Sequence, residues 1–169
     1  EGCARGQLLV EGTCLTRDLV NEPPAAKTPR ALAAHARRLA GRGVTVRVFD
    51  ERDCARMGMG AYLAVARGSA EPPRMIRLEW RPPRPRGKVV IIGKGVTFDS
   101  GGLDLKPSDG MRWMKDDMSG SAAVLGLFSI LSRLAPPVHV IGLILATENM
   151  PGGRAFKPGD VLKAMNGKT

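Results

Sequence analysis

Strands alternating with helices predict an α/β fold: three αβα layers, with helices on both faces of a largely parallel or mixed central sheet. Three stretches of the 169 residues carry that expectation. Val89, Val90, Ile91 and Ile92 form a continuous apolar run, as a strand buried on both faces requires. Residues 118–134 read as a helix rich in small residues (Gly120, Ala122, Ala123, Gly126) that can pack closely on a sheet, and 138–146 read as a second buried strand.

The other elements follow in order. Residues 4–20 place Leu8, Leu15 and Leu19 near helical spacing, and Asn21-Glu22-Pro23-Pro24 stops that helix. Thr28 suits an N-cap with Pro29 at the first helical position, and the helix runs through Leu32, Ala36 and Leu39 to Gly41 or Gly43. Val44, Val46 and Val48 alternate with Thr45 and Arg47, so 44–49 is a strand, and Asp50 can cap a short helix over 51–56. Gly58-Met59-Gly60 breaks the pattern, and 61–66 is ambiguous between strand and helix. Residues 75–80 read as strand, 81–88 as a Pro-interrupted loop and 88–93 as the buried central strand. Residues 161–165 read as strand, and Asn166-Gly167 is a strong hairpin signal.

Directly after the central strand the chain concentrates its chemistry. Lys94, Asp99, Lys106, Asp116 and Asp117 are interleaved with Gly93, Gly95, Gly101 and Gly102. Open α/β sheets place ligands at the carboxyl ends of their strands, and glycines let backbone approach a ligand, so the stretch reads as a metal site. On spacing alone it reads equally as a solvated glycine-rich loop.

The wording of the stretch decides between the two. GKGVTFDSGG at 93–102, LKP at 105–107 and MKDDMSG at 114–120 resemble the catalytic domain of the leucyl (cytosol) aminopeptidases, two-metal exopeptidases. TRDLVNEPPAAKTP at 16–29 and ATENMPGGRAFKPGDVLKAMNGKT at 146–169 extend the likeness, in the family's order, over nearly the whole chain. The resemblance implies two divalent ions per complete site, Mn or Zn with Mg as a further option, and hydrolysis of N-terminal, mostly apolar residues from peptides. It makes Asp99 the bridging ligand, Asp117 a ligand of one ion and Lys94 an amine ligand, which coordinates only after losing its proton. It makes Lys106 the catalytic lysine, kept cationic to stabilise a developing oxyanion. Met114 matches a position lining the pocket for the first substrate side chain, although plain core packing accounts for it as well. Asp116 matches no ligand position, and Glu148 is expected to hydrogen-bond the ENMPGG loop instead of a metal. The resemblance further implies a cytoplasmic homohexamer.

Composition narrows the alternatives. Cys3, Cys14 and Cys54 lack metal or disulfide spacing and read as reduced thiols of a cytosolic protein, and His35 and His139 belong to no paired-histidine motif. No apolar run reaches the roughly 18 residues of a membrane span. The net charge of +10 comes mostly from residues 1–88, with 17 Lys/Arg against 9 Asp/Glu. That excess is scattered arginine without interleaved aromatics, which argues against nucleic acid as a partner; a regulatory or nucleic-acid-binding protein on the same fold is the competing reading.

The family's remaining carboxylate ligands and catalytic arginine follow the NGKT turn, where this sequence stops at Thr169, and Glu1 falls inside an expected helix. The 169 residues therefore read as one partial catalytic domain with an incomplete metal shell, inactive by itself.

Overall fold

A computed structural model describes residues 2–169; Glu1 lies outside it. Helix α1 (Gly2–Asn21) is followed by α2 (Pro29–Arg38), whose first turn is closed as expected: the Thr28 side chain accepts from the Ala31 N–H and Pro29 sits at the start. Strand β1 (Val44–Phe49) leads into α3 (Glu51–Arg56), capped by a reciprocal pair in which Asp50 and Asp53 each accept the other's N–H. The ambiguous segment is helical, α4 (Gly60–Ala66), and β2 (Arg74–Trp80) follows. Strand β3 (Lys88–Asp99) leads through the one-turn helix α5 (Ser108–Met111) and a 3₁₀ turn (Met114–Asp116) to α6 (Ser119–Leu134) and β4 (His139–Asn149).

The sheet is mixed, in the order β1-β2-β4-β3. β1–β2 and β2–β4 are antiparallel, and only β3–β4 is parallel. One face alternates into the core: Val44, Ile76, Leu78, Trp80, Val140 and Ile144 are buried with Leu19 of α1, Leu32 and Ala36 of α2, and Leu125, Phe128 and Leu131 of α6. A Cβ on Gly142 would lie 2.6 Å from the Phe128 ring, so that glycine is the seat of the ring. α4 packs where β4 finishes, with the Tyr62 hydroxyl donating to the Ala146 carbonyl at 2.7 Å.

Three expectations need correction. β3 is not central among the described strands but lies at the edge, with Val90 49% and Ile92 69% exposed on the face away from α6. An apolar run reports a demand for burial, whereas strand order is set by long-range pairing that the run does not encode. β3 also runs on to Asp99 instead of ending at Gly93. Gly93 and Gly95 are both strand residues: α6 crosses so closely that a Cβ on Gly93 would stand 2.6 Å from the Gly120 carbonyl oxygen, and a Cβ on Gly95 would stand 2.8 Å from the Leu145 carbonyl oxygen of β4. Residues 161–165 join no ladder, and Val161 and Met165 are 80% and 68% exposed. The turn they precede does form: Gly167 takes φ +83°, and the Ala164 and Lys168 backbones pair at 2.8 Å.

Candidate metal centre

Asp99 is the last residue of β3 and stands in register with Asn149, the last residue of β4. A register shift between Val96 and Phe98 precedes it, the kind of irregularity that re-aims side chains at a strand end. The chain then turns back on itself through Gly101 (φ +93°) and Gly102 (φ +75°), and the Lys106 N–H closes the turn on the Ser100 carbonyl at 2.9 Å. A Cβ on Gly101 would lie 2.2 Å from the Asp104 carbonyl oxygen, so glycine is required on two counts.

This turn gathers donors on one carboxylate. Asp99 Oδ1 accepts from the Gly101 N–H at 2.9 Å and from Asn149 Nδ2 at 2.7 Å, while Lys106 Nζ lies 3.3 Å from Oδ2. Burial by itself would raise the Asp99 pKa, but the Gly101 N–H, the Asn149 amide and the Lys106 ammonium outweigh it and hold the carboxyl below its ordinary value.

Asp117 is treated in the opposite way. It follows the 3₁₀ turn, two residues ahead of α6, so it stands just outside the helix and not in its first turn. Burial pushes its pKa up and the nearby Asp99 charge adds to the effect, against the pull of Lys94 and Lys106. Lys94 Nζ lies 3.5 Å from Asp117 Oδ2. That oxygen is buried and has no hydrogen-bond partner of ordinary geometry.

The four chemically loaded residues read from the sequence thus meet as two interacting pairs, Asp99 with Lys106 and Asp117 with Lys94. Met114, half-buried, opens the 3₁₀ turn and accepts the Asp117 N–H on its carbonyl at 3.4 Å. Asp116 is exposed. Glu148 bonds Ser69 Oγ at 2.5 Å, which corrects its expected role in the ENMPGG loop; the neighbouring Asn149 is the side chain that serves the site, and sequence reading missed it. The only signal was its place beside Glu148 at a strand's carboxyl end.

The donor set fits a divalent cation in part. Two carboxylates and an amine converge, and one carboxylate oxygen is buried without a hydrogen bond of ordinary geometry, a donor set of the kind a divalent cation takes. Among the described residues no group of three or more His, Cys, Asp or Glu gathers at one point.

Comparison with known sequences decides the family. A profile described as "Cytosol aminopeptidase family, catalytic domain" matches residues 14–169. The chain belongs to the cytosol aminopeptidase family. It is 53% identical to a probable cytosol aminopeptidase of Persephonella marina over 165 residues, which is 97% of this chain and 33% of that protein. It is 48% identical to the corresponding protein of Aquifex aeolicus over 170 residues, 99% of this chain and 34% of the relative. The chain therefore spans about a third of the length of the cytosol aminopeptidases it matches. Among solved structures, a bottromycin maturation enzyme, BotP, in complex with Mn superimposes with a TM-score of 0.92 at 45% identity, covering 97% of this chain and 36% of BotP. A second BotP structure gives a TM-score of 0.89. The fold and the family are those the motifs at 93–120 and 146–169 implied.

Proposed function

We propose that the complete protein is a metal-dependent aminopeptidase that removes N-terminal, preferentially apolar, leucine-like residues from peptides. Two divalent ions per complete site, Mn or Zn with Mg as a further option, would supply Lewis acidity and an activated water. The observation that carries this reading is the buried Asp117 Oδ2 without a hydrogen-bond partner, close enough to Asp99 for the two charges to repel. The Lys94 ammonium stands 3.5 Å from that oxygen, and a divalent cation would hold the two carboxylates together more strongly than the lysines alone.

On this reading Asp99, its carboxylate held in place by the Gly101 N–H and the Asn149 amide, would be the ligand shared by both ions. Asp117 would hold one ion, and Lys94 beside it would be an amine ligand once its proton is lost. Lys106 remains a cation and faces the substrate oxygen on which negative charge builds. Met114 lines the pocket for the first substrate side chain. With only two carboxylates and one amine in place, each ion lacks ligands, so residues 1–169 alone bind metal weakly and turn over nothing. The complete protein is proposed to be cytoplasmic and hexameric.

The test is leucine-p-nitroanilide hydrolysis by the complete protein with added Mn2+ or Zn2+. Asp99→Ala and Asp117→Ala should each lower kcat/KM by about a thousandfold or more, the scale on which transition-state charge stabilisation is lost. Wild-type turnover in either variant would end the proposal. Light scattering on the same preparation checks the hexamer.

A further inference from the structure

The bulkiest side chain wholly withdrawn from solvent is a lysine, not a hydrophobe. Lys27, in the turn between α1 and α2, is 0% exposed. Its Nζ donates to the Lys115 carbonyl at 2.7 Å and to the Val20 carbonyl at 3.3 Å. Burying an ammonium is costly unless its protons are bound and its charge countered. Burial pushes the Lys27 pKa down; Glu22 opposes that, Lys115 adds to it and Asp116 opposes it. A methionine would fill similar volume with no charge to desolvate. What the lysine alone supplies is a set of donors for main-chain carbonyls on two separate segments.

Those segments are the end of α1 and the 3₁₀ turn that leads into Asp117. Lys115 returns the tie, its own Nζ donating to the Asn21 carbonyl at 3.2 Å. The turn needs such support. It has no side-chain cap, and the Asp117 N–H reaches the Met114 carbonyl only at 3.4 Å. The turn's other local bonds, Asp116 N–H to the Trp113 carbonyl and the Ser119 hydroxyl to the Asp116 carbonyl, run within its own stretch, and the two crossed lysines tie it to the end of α1.

We infer that Lys27 is a positioning residue which, acting through the Lys115 carbonyl, holds the turn that presents Asp117 to a divalent cation. This rests on the reading of Asp117 as a metal ligand. Groups that orient metal ligands from behind commonly alter affinity by about 10–100-fold when removed.

The experiment is a Mn2+ titration of the complete protein, followed by the electron paramagnetic resonance signal of free Mn2+, on wild type, Lys27→Met, Asp117→Asn and the double variant. Lys27→Met should raise the Mn2+ dissociation constant about tenfold or more. The double variant should bind no more weakly than Asp117→Asn alone, because a residue acting through Asp117 has nothing left to act on. An unchanged constant in Lys27→Met, or a further loss of the same size in the double variant, overturns the inference. Wild-type Mn2+ binding in Asp117→Asn would instead sink the ligand reading beneath it, so the two failures are distinguishable. Should Lys27→Met not fold, Lys115→Met removes the return tie from a partly exposed position. A raised constant there supports the inference, and an unchanged one overturns it.

Discussion

Asn149 Nδ2 donates to Asp99 Oδ1 at 2.7 Å across the ends of two parallel strands. The register of the β3–β4 pair fixes which residue faces Asp99, so the alignment of an acid essential to the proposed chemistry is decided by backbone pairing 50 residues away.

Removing that amide should loosen Asp99 without removing its charge. Asn149→Ala in the complete protein is expected to weaken Mn2+ binding by about 10–100-fold. Calorimetric titration checks this, and an unchanged dissociation constant would mean that the Gly101 N–H and Lys106 suffice to orient the carboxylate.

Gly101 cannot take a side chain cheaply. Gly101→Ala combines a φ of +93° with a Cβ 2.2 Å from the Asp104 carbonyl oxygen. The expected destabilisation is about 1–3 kcal/mol, measured by urea unfolding, with loss of Mn2+ binding as the Asp99 turn opens. The neighbouring surface glycine Gly110, with nothing within 4 Å of an added Cβ, is the control and should tolerate alanine.

Glu79, remote from the site, is one carboxyl expected to contribute to loss of stability in acid. Burial alone would raise its pKa, yet the hydrogen bond to His139 at 2.7 Å and the Arg77 guanidinium at 2.7 Å hold it below its ordinary value of 4.5. A carboxyl with a depressed folded pKa binds protons more weakly in the folded state. Its stabilisation is therefore full above the unfolded pKa and disappears as pH falls through the folded one. Glu79→Gln should flatten the loss of stability below about pH 4.5, read from urea midpoints at pH 3–6. A wild-type slope in the variant would assign the acid limb to other carboxylates.

The α2 cap offers a test of local structure alone. Thr28→Ala removes the acceptor for the Ala31 N–H and should cost about 1 kcal/mol, lowering Tm by about 2–4 °C. Metal affinity should stay at the wild-type value, since the bonds that hold Lys27, from its N–H to Pro23 and from its side chain to Val20 and Lys115, do not involve the cap; a parallel loss of affinity would show that α2 transmits to the turn through the adjoining Lys27.

Much of this was legible in the chain itself, where a local signal has a local cause. The alternation of Val44, Val46 and Val48, the Thr28-Pro29 start of α2, the Asp50 cap of α3 and the small-residue helix α6 are all present as read. So is the convergence of Lys94, Asp99, Lys106 and Asp117, because their motifs name them in order. What was not legible depended on a partner distant in sequence. The strand was read as ending at Gly93 and runs on through Gly95 to Asp99, since the requirement for glycine comes from α6 crossing above Gly93 and from β4 beside Gly95. Residues 161–165 have strand-forming side chains but no strand to pair with among the described residues, and a ladder is a property of two segments. Lys27 gave no sign of burial, and Asn149 none of its bond to Asp99, because each is defined by a carbonyl or carboxylate brought to it from more than 40 residues away. The sequence by itself determined most of the elements, the family and which four charged side chains would meet. Only the tertiary structure decided strand order, the opposite electrostatic fates of Asp99 and Asp117, and the lysine behind the turn, since burial and long-range contact exist only once the chain has closed on itself.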